Sequence, residues 1–154
     1  MEKHPLEFVS LTSAKQIRSR ELRRRAKTFP GRSIDIRYLV RRGGKEIGLL
    51  WYMVFPHDKF LKVHEMYLLK QYRGRGIGPH LIKHAEQLAT DHACHGLTLS
   101  AVPLDRRIHI GRLCAWYEKQ GFVESDRERH IFNRFLAQAP LTTRPEESTL
   151  EKPQ

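Results

Sequence analysis

Six consecutive residues, Arg73-Gly74-Arg75-Gly76-Ile77-Gly78, combine three glycines with two arginines just before a helical pattern. Glycine lets a backbone turn sharply and lets a ligand approach where a Cβ would stand in the way. A helix that starts behind such a turn offers unpaired N–H groups and the positive end of its dipole. The two guanidiniums would add full charges. This combination suits a pyrophosphate. Two common phosphate loops are excluded by spacing. No Lys-Ser/Thr follows, as a P-loop needs, and glycines at 74, 76 and 78 miss the Gly-x-Gly-x-x-Gly dinucleotide pattern.

Asp91-His92-Ala93-Cys94-His95 carries side chains that ligate metals, but no second cluster matches it. Structural zinc wants four ligands in paired spacing, so no metal is expected. Cys94 and Cys114 stand far apart, which suits a reducing compartment better than a disulfide framework. The net charge of +11 attracts anions such as nucleotide phosphates, nucleic acid or an acidic partner. No stretch reaches the roughly 20 apolar residues of a membrane span, and the first residues lack the apolar segment of a signal peptide. A cytoplasmic protein without membrane contact is the expectation.

The elements that must position the glycine cluster can be read from periodicity. The 154 residues fit one domain, expected over 1–137, and 40% apolar content supports a core. After Ala137 the chain turns to Pro, Thr, Glu and Lys, so 138–154 is expected to be a disordered tail. Phe8–Leu11 predicts a short strand. A helix over Ala14–Lys27 follows, capped by Thr12 or Ser13, and its Arg23-Arg24-Arg25 run reads as a solvated face. Ser33–Val40 and Glu46–Phe55 predict a hairpin around Arg41-Arg42-Gly43-Gly44.

Phe60–Leu69 reads as a strand with one irregularity. Val63, Met66 and Leu68 are spaced three and then two apart, and a β-bulge near His64-Glu65 would keep all three on one face; the alternative is a strand buried on both faces, for which spacing says little. Ile77–His92 has the clearest helical stripe. A strand over Leu97–Val102, a helix over Ile108–Gln120 with Gly121 as its C-cap, and strands at Phe122–Val123 and Ile131–Leu136 complete the chain. The order gives an α/β fold with a mixed sheet of about seven strands flanked by helices.

Three anchors resemble the GNAT (GCN5-related N-acetyltransferase) superfamily. Arg73–Gly78 is similar to the family's Gln/Arg-x-x-Gly-x-Gly/Ala loop. Val63-His64-Glu65-Met66-Tyr67-Leu68 resembles its bulged fourth strand. Trp116-Tyr117-Glu118-Lys119-Gln120-Gly121-Phe122 resembles its Tyr-x-x-x-Gly-Phe signature. The resemblance spans roughly Phe8–Leu136, with the anchors in family order.

The resemblance implies a fourth strand splayed from the fifth, and an acetyl transfer from acetyl-coenzyme A to an amine without an acyl-enzyme. Arg73, Gly74, Arg75, Gly76, Ile77 and Gly78 would hold the pyrophosphate, and Met66, Tyr67 and Leu68 would pair with the pantetheine arm. Tyr117 would protonate the leaving thiolate. Glu65 is the candidate general base, with His64 its competitor. Many members carry Asn where this chain has Ile110, seven residues before Tyr117, and Arg106, Arg107 and Arg112 lie nearby. The acceptor would be a small amine, a protein amino group or an aminoacyl-tRNA, and the basic balance leans towards an anionic or RNA-linked one. Homodimers are common in the family. The alternative is a basic binding module for nucleic acid or protein that keeps the fold and the coenzyme A site without catalysis.

Overall fold

Alternating apolar residues assemble the first half of the sheet. β1 (Leu6–Ser10), β2 (Asp35–Arg42) and β3 (Lys45–Met53) pair antiparallel. Gly43 and Gly44, both at positive φ, close the β2–β3 hairpin where a turn was expected. Two successive left-handed residues match the twist of a tight hairpin. The computed structural model describes residues 4–137, so the expected tail at 138–154 lies outside the described residues.

β4 (Phe60–Leu68) continues the sheet beside β3. β5 (Gly96–Ser100), β7 (Ile131–Phe135) and β6 (Val123–Glu124) complete a seven-stranded mixed sheet of order β1-β2-β3-β4-β5-β7-β6. β4 and β5 run parallel but pair only through Phe60–Lys62 and Gly96–Thr98. From Val63 onward β4 has no such partner, so the two strands part as expected. α2 (Gly78–Asp91) buries Leu81, Ile82, Ala85, Leu88 and Ala89 in one stripe against one sheet face. α3 (Ile110–Lys119) packs Ile110, Leu113, Cys114 and Tyr117 on the same core. α1 (Arg20–Ala26) covers the opposite face through Leu22 and Ala26.

The bulge falls on His64. Trp51 pairs with Glu65 and Tyr52 with Val63, so His64 is the extra residue. Leu61 and Val63 before it, and Met66 and Leu68 after it, all face the α2 core, while Tyr67 faces α1. Without the extra residue, one half of the strand would present the wrong face.

The first helical segment differs from the expectation of one helix over Ala14–Lys27. A single 3-10 turn at Ala14–Gln16 is closed by a Ser13/Gln16 capping box, and α1 starts only at Arg20. The Glu46 carboxylate on β3 accepts the backbone N–H groups of Arg18 (2.9 and 3.0 Å) and Ser19 (2.7 Å). A distant acid thus takes the donors that a continuous helix would have used internally, which no local periodicity reveals. The Arg23-Arg24-Arg25 run also departs from a solvated face. Arg23 binds the carbonyls of Ile17 and Arg18, and Arg25 pairs with Glu65; Arg24 is exposed.

His84 on α2 stacks on Phe8 at 3.9 Å, meets Tyr38 edge-on, and shares a hydrogen bond of 3.0 Å with the Tyr52 hydroxyl. Burial holds its pKa below the ordinary 6.5. The unfolded chain therefore takes up the proton first as pH falls. Stability is full above pH ~6.5 and drops as pH falls through the folded-state value. Thermal unfolding between pH 7.5 and 5 is expected to show this loss, and His84→Gln is expected to flatten that part of the curve.

Candidate active site

Where β4 and β5 part, a cavity of about 850 Å³ opens between them. β4 lines it from Lys62 to Leu68. The glycine loop and the start of α2 form one end, and Leu113, Trp116 and Tyr117 of α3 form a wall.

The glycine loop is shaped by its backbone. Gly74 and Gly76 sit at φ +70 and +77, which an L side chain rarely adopts, and a Cβ at either would meet no atom within 4 Å. Open space and forced left-handed geometry together leave room for a ligand against the main chain. α2 begins behind this loop with no side-chain cap at Ile77 and no acid in its first turn, so its dipole end is uncompensated. Pro79 sits where a missing N–H costs nothing. Gly78 is glycine for another reason: a Cβ there would lie 2.7 Å from the Trp116 ring. These residues fit a diphosphate held by backbone amides.

The two arginines of the loop behave differently from the expectation of two free charges. Arg73 donates from Nε to the Leu68 carbonyl (2.9 Å) and from a terminal nitrogen to Asp105 (3.0 Å). Its guanidinium also stands 5.2 Å from the Tyr67 ring centroid. It braces the loop, and its charge is already shared with a carboxylate. Asp105 also accepts the Arg107 backbone N–H; that bond first, then Arg73, keeps its carboxyl below the usual range. Arg75 is exposed and lies outside the cavity lining, and Arg106, Arg107 and Arg112 are exposed as well. Ile110, where the family's Asn would stand, packs on the core.

Met66, Tyr67 and Leu68 all line the cavity. Glu65 and Tyr67 look towards α1, which brings in residues that the sequence did not single out. The Tyr67 hydroxyl donates to Glu21, and burial followed by this carboxylate pushes its pKa up. Glu65 accepts from the Arg25 Nε, and the Arg25 guanidinium lies 4.0 Å over the Tyr67 ring. His64 lays its ring 3.9 Å from that of Trp51; partial burial first, then Lys62, pulls its pKa below 6.5. Arg25, Glu21 and Asp105 carry no local signal in the sequence, because each is recruited across the fold.

Tyr117 closes the opposite wall. Its ring packs against Trp116, Phe122 and Phe132 at 5.2 to 6.0 Å. Burial first, then Cys114, pushes the phenol up to about 12, so it keeps its proton at neutral pH. The helix end fixes its place. Phe122 N–H bonds the Tyr117 carbonyl (3.1 Å), Gly121 N–H bonds that of Glu118 (3.0 Å), and Gly121 takes φ +92. This is a Schellman closure, in which Tyr117 and Phe122 make the accompanying apolar contact.

Among the described residues, no three of His, Cys, Asp and Glu gather as a metal site would require, and no helix is long and apolar enough to cross a membrane. A family model described as an acetyltransferase (GNAT) domain matches residues 35–124. No curated protein sequence is similar to the chain at a significant level.

Several solved structures share the fold. A tandem GNAT protein from the clavulanic acid biosynthesis pathway is similar with TM-score 0.58 and 23% identity, covering 79% of this chain but 45% of that one. The chain thus spans under half of that protein. The PaiA N-acetyltransferase from Thermoplasma acidophilum, in complex with coenzyme A, gives TM-score 0.61 and 17% identity, covering 86% and 99% of the two chains. A GNAT family acetyltransferase from Elizabethkingia anophelis with acetyl-CoA bound gives 0.60 and 16%, covering 85% and 98%.

Proposed function

Because the chain belongs to the GNAT acetyltransferase family, matched over residues 35–124, we propose that it transfers an acetyl group from acetyl-coenzyme A directly to an amine. The observation that carries this is the cavity at the β4–β5 split. It joins an uncapped helix N-terminus behind left-handed glycines to a half-buried, protonated phenol and a carboxylate. Structural neighbours with coenzyme A or acetyl-CoA bound support the choice of donor.

In this proposal the amides of the 74–78 loop hold the diphosphate, and the β4 edge at Met66–Leu68 aligns the pantetheine arm. Glu65 accepts a proton from the acceptor ammonium. The amine lone pair then attacks the thioester carbonyl carbon, the C–S bond breaks, and its electron pair leaves on sulfur. Tyr117 donates a hydrogen bond to that sulfur. The nitrogen, still carrying one proton more than an amide holds, releases it, the thiolate takes up a proton through solvent, and the proton on Glu65 passes to solvent. The products are an acetamide and free coenzyme A. His64, neutral by virtue of its lowered pKa, is the competing proton acceptor.

A panel of small amines, peptides and aminoacyl-tRNA tests the proposal by thiol release and detection of the acetylated product. At least one acceptor is expected to give stoichiometric product. Salt-sensitive nucleic-acid binding with no product from any acceptor would instead support a binding module without catalysis.

A further inference from the structure

We infer that Arg25, on α1, is a positioning residue for the reaction: it holds one oxygen of Glu65 so that the other faces the acceptor ammonium. The inference rests on Glu65 acting as the base. Three observations support it. Arg25 Nε donates to Oε1 of Glu65, while Oε2 makes no hydrogen bond among the described residues. The guanidinium is itself fixed, lying 4.0 Å over the Tyr67 ring. α1 is anchored by the buried Leu22 and Ala26 and by the Ser19 cap, so the arginine approaches from a rigid support.

A carboxylate offers about four lone-pair sites, and a guanidinium on one oxygen leaves the other able to accept a proton. The pair is largely screened from water, with the Glu65 side chain 10% exposed. The contact therefore competes less with water than a pair on the open surface would. The other charged groups in this neighbourhood are Glu21 on α1, bound by Tyr67, and His64 and Lys62 on β4. Arg32 and Asp35 lie beyond Trp51. None of them hydrogen-bonds Glu65, so among the described residues Arg25 alone holds its carboxylate.

The experiment measures kcat and both KM values at neutral pH for the wild type, Arg25→Gln, Arg25→Lys and Glu65→Gln, with acetyl-CoA and an acceptor found by the panel. Arg25→Gln is expected to cut kcat about tenfold with little change in KM for acetyl-CoA. Arg25→Lys, which keeps a donor to one oxygen without the fork, is expected to recover most of that loss. Affinity for coenzyme A should be unchanged in both. An Arg25→Gln kcat equal to the wild type, in a protein whose Glu65→Gln variant has lost most of its activity, would overturn the role of Arg25. Full activity in Glu65→Gln would overturn the base assignment instead. Should Arg25→Gln fail to fold, an Arg25→Lys enzyme with kcat no higher than that of Glu65→Gln would overturn the positioning role.

Discussion

Gly76→Glu is expected to lose about 100-fold or more in affinity for coenzyme A while keeping its fold. Gly76 adopts φ +77, and an L residue there costs roughly 1–2 kcal/mol. A Cβ at that position meets nothing within 4 Å, so the protein itself has room for the side chain. The carboxylate then occupies the space proposed for the diphosphate. Two unit charges about 4 Å apart repel by about 4 kcal/mol near a protein surface. Gly76→Ala separates the two effects, since it carries the strain alone, which falls on stability, and should bind coenzyme A far better than Gly76→Glu. Calorimetric titration with coenzyme A reads both variants, and circular dichroism checks the fold. Undiminished affinity in Gly76→Glu would remove the loop from the donor site.

Tyr117→Phe is expected to lower kcat about 100-fold with little change in KM for acetyl-CoA. The ring contacts with Trp116, Phe122 and Phe132 survive the change, and the hydroxyl has no hydrogen-bond partner among the described residues to leave orphaned. The size follows from the proton affinities. The phenol sits at about 12, roughly three pH units above a free thiol. Complete transfer of its proton to the leaving sulfur is therefore uphill, and a hydrogen bond to the developing negative charge is the larger contribution. Such a bond is worth about 1.5–3 kcal/mol, or about 10- to 100-fold. The wild-type kcat should accordingly show no alkaline fall from Tyr117 up to pH ~10. A Tyr117→Phe enzyme with wild-type kcat would leave the phenol only a packing role.

The bulge and the helix stripes were legible in the sequence because both are local. Val63, Met66 and Leu68 break a period of two, and of the two readings, a bulge or burial on both faces, the bulge is the one found. The order of elements followed from the same patterns. What stayed hidden depends on residues far apart in the chain. Glu46 ends the first helical turn from 28 residues away, and Arg25 meets Glu65 across 40. A run of arginines looks alike whether it faces water or a carboxylate. Arg73 and Gly78 belong to the same class. Their motif gives no sign that Arg73 also braces Asp105 and that Gly78 also makes room for Trp116, beside the cavity that both line.

The Schellman closure at Gly121 has a consequence for reading the Tyr-x-x-x-Gly-Phe pattern. Glycine is required there by handedness, Phe122 by the contact that seals the turn, and an aromatic ring at 117 by the same seal. The pattern is thus first a stop signal for a helix. The hydroxyl of Tyr117 is the part with no duty in that closure, so a phenylalanine there would end the helix equally well, and the pattern by itself does not report on the chemistry proposed for the phenol.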